Sequence, residues 1–188
     1  MFVAVPIAPE LRDAGAALRA ALGPVASQLR WVDRDGLHLT LRFLGEIAPA
    51  EVERAVDAAR AAAASAAPFS IALTGAGAFP SLREPRVLWV GISEGAAPLV
   101  TLARSLEAAL VARRFPVEAR PFQPHLTVAR ARSAGRPPDL RAQASTLFAP
   151  DAPVIGVQRV EAIVVVESTL GPRGPAYREV SRGALGGR

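Results

Sequence analysis

Along the chain, short unbroken apolar runs alternate with stretches in which apolar residues recur at helical spacing, and the two periods mark out strands and helices in turn. Phe2-Val3-Ala4-Val5-Pro6-Ile7 reads as a buried strand. Pro9 then opens a helix whose apolar face is carried by Leu11, Leu18 and Leu22. Leu37 to Phe43 alternates as a strand, and beyond the break at Gly45, Pro49 sits where a first-turn proline belongs. Val52, Val56, Ala59 and Ala63 follow it at helical spacing.

Phe69 to Thr74 and Arg86 to Ile92 are two β-rich segments. The loop expected between them, Gly75-Ala-Gly-Ala-Phe-Pro80, is too long for a tight hairpin turn, so the segments pair antiparallel or lie in adjacent sheets. Leu99, Leu102, Leu106 and Leu110 mark a third helix, and a strand runs from His125 to Arg130. Arg132 to Pro138 reads as an exposed loop, Val154 to Val157 and Val160 to Glu167 as late strands, and Tyr177 to Val180 as a last short one. Strands and helices alternate without a dinucleotide-type glycine fingerprint, and many connections are not crossovers. The expected class is α+β rather than a doubly wound parallel sheet. Residues 1–182 are expected to form one compact domain or two small, intimately packed lobes, and 183–188 a flexible tail.

Composition narrows the chemistry. At 188 residues and 51% hydrophobic content the chain has ample material for a buried core. It has no cysteine and two histidines, which excludes disulfides, thiolate catalysis and cysteine-ligated zinc, and argues against a His-rich metal site. The apolar run at the start is too short to span a bilayer and lacks a basic, cleavable leader, so a cytoplasmic location is expected. The net charge of +5 rests on arginine alone. A permanently charged guanidinium forks well onto phosphate oxygens, although an alanine- and arginine-rich chain is also what compositional bias of a genome produces.

Both histidines stand in one tetrapeptide pattern, His38-Leu39-Thr40-Leu41 and His125-Leu126-Thr127-Val128. On a strand, residues two apart share a face. His38 therefore lies beside Thr40 and His125 beside Thr127, with the aliphatic residues on the opposite faces. Either copy alone reads as an ordinary strand with a partly buried histidine and a β-forming threonine. Two copies that use every histidine in the chain point to function. If the two strands converge on one cleft, two imidazoles can move two protons near neutrality while two hydroxyls donate to phosphate oxygens, which is what phosphoester hydrolysis requires.

Two arginines follow these motifs. Strand alternation puts Arg130 on the face opposite His125, so it clamps a phosphate only if the strand ends or bulges before it; otherwise it serves packing or the surface. Arg42 has the parity to share the cleft with His38, but an arginine at a strand end is more often solvated. Trp31, Trp89, Phe122 and Tyr177 are candidates for stacking on a base, most of them expected in the core. There is no phosphate loop with its lysine and no carboxylate cluster at metal spacing, and a Gly-x-Ser-x-Gly nucleophile elbow is not expected, so ATP-dependent ligation, serine hydrolysis and two-metal chemistry are poor alternatives.

From residue 2 to about 180 the chain resembles the bacterial and archaeal RNA 2′,3′-cyclic phosphodiesterases, also called 2′-5′ RNA ligases, of the two-histidine phosphoesterase superfamily. The resemblance is carried by His38-Leu-Thr-Leu-Arg-Phe-Leu-Gly-Glu46, Gly77-Ala-Phe-Pro80, Arg86-Val-Leu-Trp-Val-Gly91, Pro121-Phe-Gln-Pro-His-Leu-Thr-Val-Ala-Arg130 and Glu167-Ser-Thr-Leu-Gly-Pro-Arg-Gly174 with Tyr177. It departs at the start, where Met1 stands in place of the arginine common in the family. The resemblance implies a bilobal, pseudo-twofold fold of antiparallel sheets with helices on their outer faces, each lobe giving one His-x-Thr strand to a central cleft. It implies metal-independent opening of a terminal RNA 2′,3′-cyclic phosphate to a 2′-phosphate, with His38 as acid, His125 as base, Thr40, Thr127 and Arg130 binding substrate, and neither cofactor nor metal. The implied partners are RNA ends, tRNA fragments among them, met by a monomer away from membranes. The rival readings are a noncatalytic module that binds RNA ends, a phosphodiesterase of small cyclic nucleotides, and reversible 2′-5′ ligation.

Overall fold

The computed structural model describes residues 1–132, 138–143, 152–171 and 174–186. Among the described residues, nine strands and three α-helices are arranged as two antiparallel sheets with helices against them. In the first sheet, β1 (Phe2–Pro6) lies between β3 (His38–Phe43) and β8 (Ala162–Gly171), and β9 (Gly174–Ala184) pairs with β8 at the edge. The second sheet has the order β2-β6-β5-β4-β7, with β2 at Leu29–Trp31, β6 at His125–Ala131, β5 at Val87–Ile92, β4 at Phe69–Phe79 and β7 at Val154–Val160. This is the expected α+β class.

The helices interleave the lobes. Helix α1 (Ala14–Leu22) follows a strand of the first sheet yet packs on β6 of the second. Helix α2 (Pro49–Ala64) lies on β8 and β9, and α3 (Ala96–Ala112) packs against α2 and β3. The four leucines that announce α3 are all fully buried, each contributing about 1.5–3 kcal/mol of burial. In α2 the inward stripe is Ala55, Ala58, Ala59, Ala62 and Ala63, rotated from the expected valines, which are only half-buried. Small side chains let this helix approach the sheet and α3 closely. One hydrophobic cluster joins Val3 and Val5 of the first sheet to Leu88 and Leu126 of the second. Buried Gln158 of β7 also ties the sheets: Ala8 N–H donates to its Oε1 at 2.9 Å, and its Nε2 donates to the Pro6 carbonyl at 3.0 Å.

Four boundaries differ from the sequence expectation. Gly75 to Phe79 is strand, not loop: β4 carries the register on through Gly77↔Trp89 and Phe79↔Val87 after a bulge at Gly75. Strand β2, too short to show a period, was not expected. The helix anticipated from Pro9 is a 3-10 turn, Pro9–Leu11, followed by α1. At the other end, β9 is far longer than Tyr177 to Val180 and passes the expected domain end at 182. Leu185 is buried, with its N–H donating to the Glu161 carbonyl at 2.7 Å, so residues 183–185 pack on the domain; residues 187 and 188 lie outside the described residues. The loop expected at 132–138 lies largely outside the described residues. Among the described residues no helix is long and apolar enough to cross a membrane.

Candidate active site

The two His-x-Thr strands, β3 and β6, face one another across the junction of the two sheets. Their side chains line two adjoining pockets of about 250 and 490 Å³. His38 lies in the smaller and His125 in the larger, while Thr40, Thr127, Phe43 and Arg130 line both. The four residues singled out by pattern thus come together in one bipartite cleft.

Each imidazole is held by the same device. His38 Nδ1–H donates to the Gly36 carbonyl and His125 Nδ1–H to the Gln123 carbonyl, both at 2.7 Å and both two residues upstream. A carbonyl only accepts, so Nδ1 carries the hydrogen and Nε2 is left free for chemistry. Aromatic rings complete each seat. Phe2 stacks on His38 with centroids 4.4 Å apart and Tyr177 meets it edge-on at 5.3 Å. Phe79 meets His125 edge-on at 5.1 Å, and the Trp89 ring lies 6.3 Å away.

Burial lowers the pKa of both histidines below the ordinary value near 6.5. The carbonyl bond works against this in each case, and the Arg130 charge adds to it. Both rings are therefore poised to be neutral in the empty cleft at neutral pH, and an anionic ligand would favour their protonation.

Arg130 reaches the cleft because β6 bulges. Against β5 the register runs Leu88↔Ala129 and then Trp89↔Thr127, passing over Val128, whose carbonyl instead accepts from Val32 N–H at 2.9 Å. Val128 and Ala129 are both buried, and the extra residue returns Arg130 to the face of His125 and Thr127. The same irregularity occurs in β3. Against β1 the register passes from Val3↔Arg42 to Ala4↔Thr40, skipping Leu41. Phe43 is thereby turned into the cleft and Arg42 away from it. Arg42 reaches the rim of the larger pocket, but its guanidinium is spent on Glu107 (2.9 Å), Glu118 (3.3 Å) and the Pro116 carbonyl (2.7 Å).

Of the aromatic candidates, Tyr177 and Phe122 line the cleft, Trp89 lies beside His125, and Trp31 sits elsewhere with its Nε1 donating to the Ala26 carbonyl. Sequence reasoning missed Phe2, Phe43 and Phe79 as cleft residues, because apolar runs conceal which members meet a site. The expectation that no Gly-x-Ser-x-Gly elbow occurs is also corrected: Gly91-Ile92-Ser93-Glu94-Gly95 has that spacing and lies between β5 and α3. Ser93 is exposed, does not line the cleft and bonds to neither histidine, so the pattern is a connection here. Among the described residues no three His, Asp or Glu side chains gather as a metal site would need.

Residues 6–167 match the family model of the 2′-5′ RNA ligase superfamily. The chain belongs to that superfamily. It is 35% identical over 163 residues to an RNA 2′,3′-cyclic phosphodiesterase of Aquifex aeolicus, a match that covers 84% of this chain and 82% of the relative. A protein of the same name from Geobacillus stearothermophilus is 39% identical over 132 residues, 69% of this chain and 41% of that longer protein. The fold is similar to the crystal structure of a protein from Thermus thermophilus, with a TM-score of 0.77, 31% identity, and coverage of 99% of this chain and 97% of the other.

Proposed function

We propose that this chain opens the terminal 2′,3′-cyclic phosphate of RNA, leaving a 2′-phosphate, by metal-independent acid and base catalysis between His38 and His125. The single observation that carries the reading is the matched pair of imidazoles, each tethered through Nδ1 and each offering Nε2 to one cleft. In-line displacement at phosphorus needs a base on the side of the entering water and an acid on the side of the departing oxygen. Two such nitrogens on opposing strands suit that demand. The names of the relatives, RNA 2′,3′-cyclic phosphodiesterase, support the same substrate class.

His125 takes a proton from water as it attacks phosphorus. The P–O3′ bond breaks, and His38 gives its proton to the 3′ oxygen. The 2′ oxygen keeps the phosphate. Thr40 and Thr127 donate hydroxyl hydrogens to the non-bridging oxygens, and Arg130, beside both rings, neutralises the charge that grows there. Burial lowers the pKa of both rings and the anionic phosphate raises both, so one proton shared by the coupled pair leaves His38 charged for donation when His125 is neutral and ready to accept. The partners are RNA ends, tRNA fragments among them, the acting species is a monomer, and the working location is the cytoplasm. No cofactor enters the reaction.

The test is phosphorus NMR of the product from a defined cyclic-ended oligonucleotide, in excess EDTA. A 2′-phosphate formed at the rate seen without chelator is expected. A 3′-phosphate would reverse the substrate's orientation, and loss of turnover restored by a divalent metal would refute metal-free catalysis.

A further inference from the structure

Two of the sequence motifs, Gly77-Ala-Phe-Pro80 and Arg86-Val-Leu-Trp-Val-Gly91, contribute only Phe79 and Val87 to the lining of the cleft, and the mechanism uses neither. Yet they lie side by side beneath His125. In the register of the second sheet, Thr127 pairs with Trp89 and Trp89 with Gly77, while His125 pairs with Gly91. The six-membered ring of the Trp89 indole covers Gly77: a Cβ added there would lie 2.7 Å from Cε2 and closer still to Cζ2 and Cη2, far inside contact distance. A Cβ on Gly91 would stand 3.5 Å from the same ring and 2.9 Å from the Thr74 carbonyl oxygen. Gly77, without a side chain, thus lets the indole lie flat on the sheet, where an upright tryptophan would stand in the cleft; at Gly91 the close neighbour is the Thr74 carbonyl, and the ring is only at ordinary contact distance. Glycine within a strand is unfavourable, and here it marks a close approach.

The indole is placed at a cost. Its Nε1 is buried with no hydrogen-bond partner among the described residues, although a buried tryptophan usually finds one. Packing alone therefore holds the ring: Gly77 below, Phe79 at 5.2 Å and His125 beyond. Trp89 does not line the cleft and reaches the reaction only through the groups it supports.

We propose that Trp89, laid flat over Gly77, is a positioning residue that sets the height and tilt of the His125 ring and keeps water from its inner face. The Nδ1–H bond to Gln123 leaves the ring free to swing about that tether, and the indole with Phe79 closes off the swing. The kinetic part of this proposal rests on His125 being the base; the part concerning the ring itself does not.

The chain has two histidines, so their Cε1–H signals in a labelled sample can be assigned with one His38→Ala variant and titrated separately. The charged groups around the His125 pocket, Arg42, Glu118, Arg120 and Arg130, stay unchanged throughout. In Trp89→Ala, and to a smaller extent in Trp89→Phe, the His125 pKa should rise toward the ordinary value as water reaches the ring, with that of His38 unmoved. Gly77→Ala, which lifts the indole, should shift the His125 signal. It should lower kcat on cyclic-ended RNA by about tenfold to a hundredfold, with KM changed less than about threefold. In the Trp89→Phe background the added methyl has less ring to strike, and its cost should largely vanish, a coupling that a merely structural glycine would not show. Unchanged His125 signals in folded Trp89→Phe and Gly77→Ala proteins would overturn the proposal, as would a Gly77→Ala cost that is simply additive. If RNA ends are not the substrate, the titration still reads the ring, so the two failures can be told apart.

Discussion

Phe43 and Arg130 occupy equivalent positions in the two lobes, each five residues after its histidine and each turned into the cleft by a one-residue bulge, at Leu41 and at Val128. The lobes repeat their backbone irregularity as well as their motif, and differ in what the bulge delivers: an apolar ring in one, a fixed charge in the other.

Because Arg130 depresses both imidazole pKa values, Arg130→Gln should raise both in the free protein. Removing a nearby positive charge favours the imidazolium, so the sign is upward for each. An NMR titration of the two rings checks this. The same variant should bind substrate more weakly, and a shift confined to one histidine would contradict the shared position of Arg130.

Rate against pH should be bell-shaped, with limbs that belong to the coupled pair. Burial lowers both histidines in the empty cleft, so the kcat/KM profile should centre below the ordinary 6.5. The kcat profile should lie at higher pH, because bound phosphate favours protonation. His38→Ala and His125→Ala should each remove one limb and lower turnover by at least about a hundredfold while the fold persists. Near-normal turnover in folded His125→Ala would sink the assignment.

Thr40→Ala and Thr127→Ala should each cost about 1.5–3 kcal/mol of transition-state binding, the worth of a hydrogen bond to a charged oxygen. Steady-state kinetics of both single variants and the double variant would measure it. Normal kinetics in the double variant would remove the threonines from the site.

Arg42 should matter to stability, not to chemistry. Its side chain is 11% exposed and joins β3 to Glu107 of α3 and to Glu118 and the Pro116 carbonyl beyond that helix. Arg42→Leu leaves the half-buried Glu107 without its cation and Glu118 with only the exposed Arg120, and should cost about 1–3 kcal/mol of unfolding free energy. Thermal unfolding would show the loss, with kcat of the folded variant within about twofold of the parent. A selective fall in kcat would return Arg42 to the cleft.

Local spacing was sufficient wherever a single period runs unbroken. The leucines of α3, the apolar run of β1 and both His-x-Thr strands follow from it, because the 3.6 and 2.0 residue repeats decide which side chains share a face before any tertiary contact forms. The order of strands and helices gave the α+β class, and the resemblance carried the pairing of the two histidines in one cleft. Spacing failed where the repeat is interrupted. Arg130 and Arg42 exchange faces relative to strict alternation because Leu41 and Val128 are extra residues, and a bulge depends on which strand lies alongside. Gly75 to Gly77 looked like a turn for a related reason: glycine is rare within strands unless another group needs the space, and that group, Trp89, lies on a different strand. The reach of the β8–β9 hairpin depends on how far its two arms stay in register, and the burial of Leu185 on Glu161 at the hairpin's far end. Residue types and local periods thus establish which groups are available for chemistry and roughly where their strands run, whereas the face each group presents depends on long-range pairing, whose bulges shift the alternation by one residue.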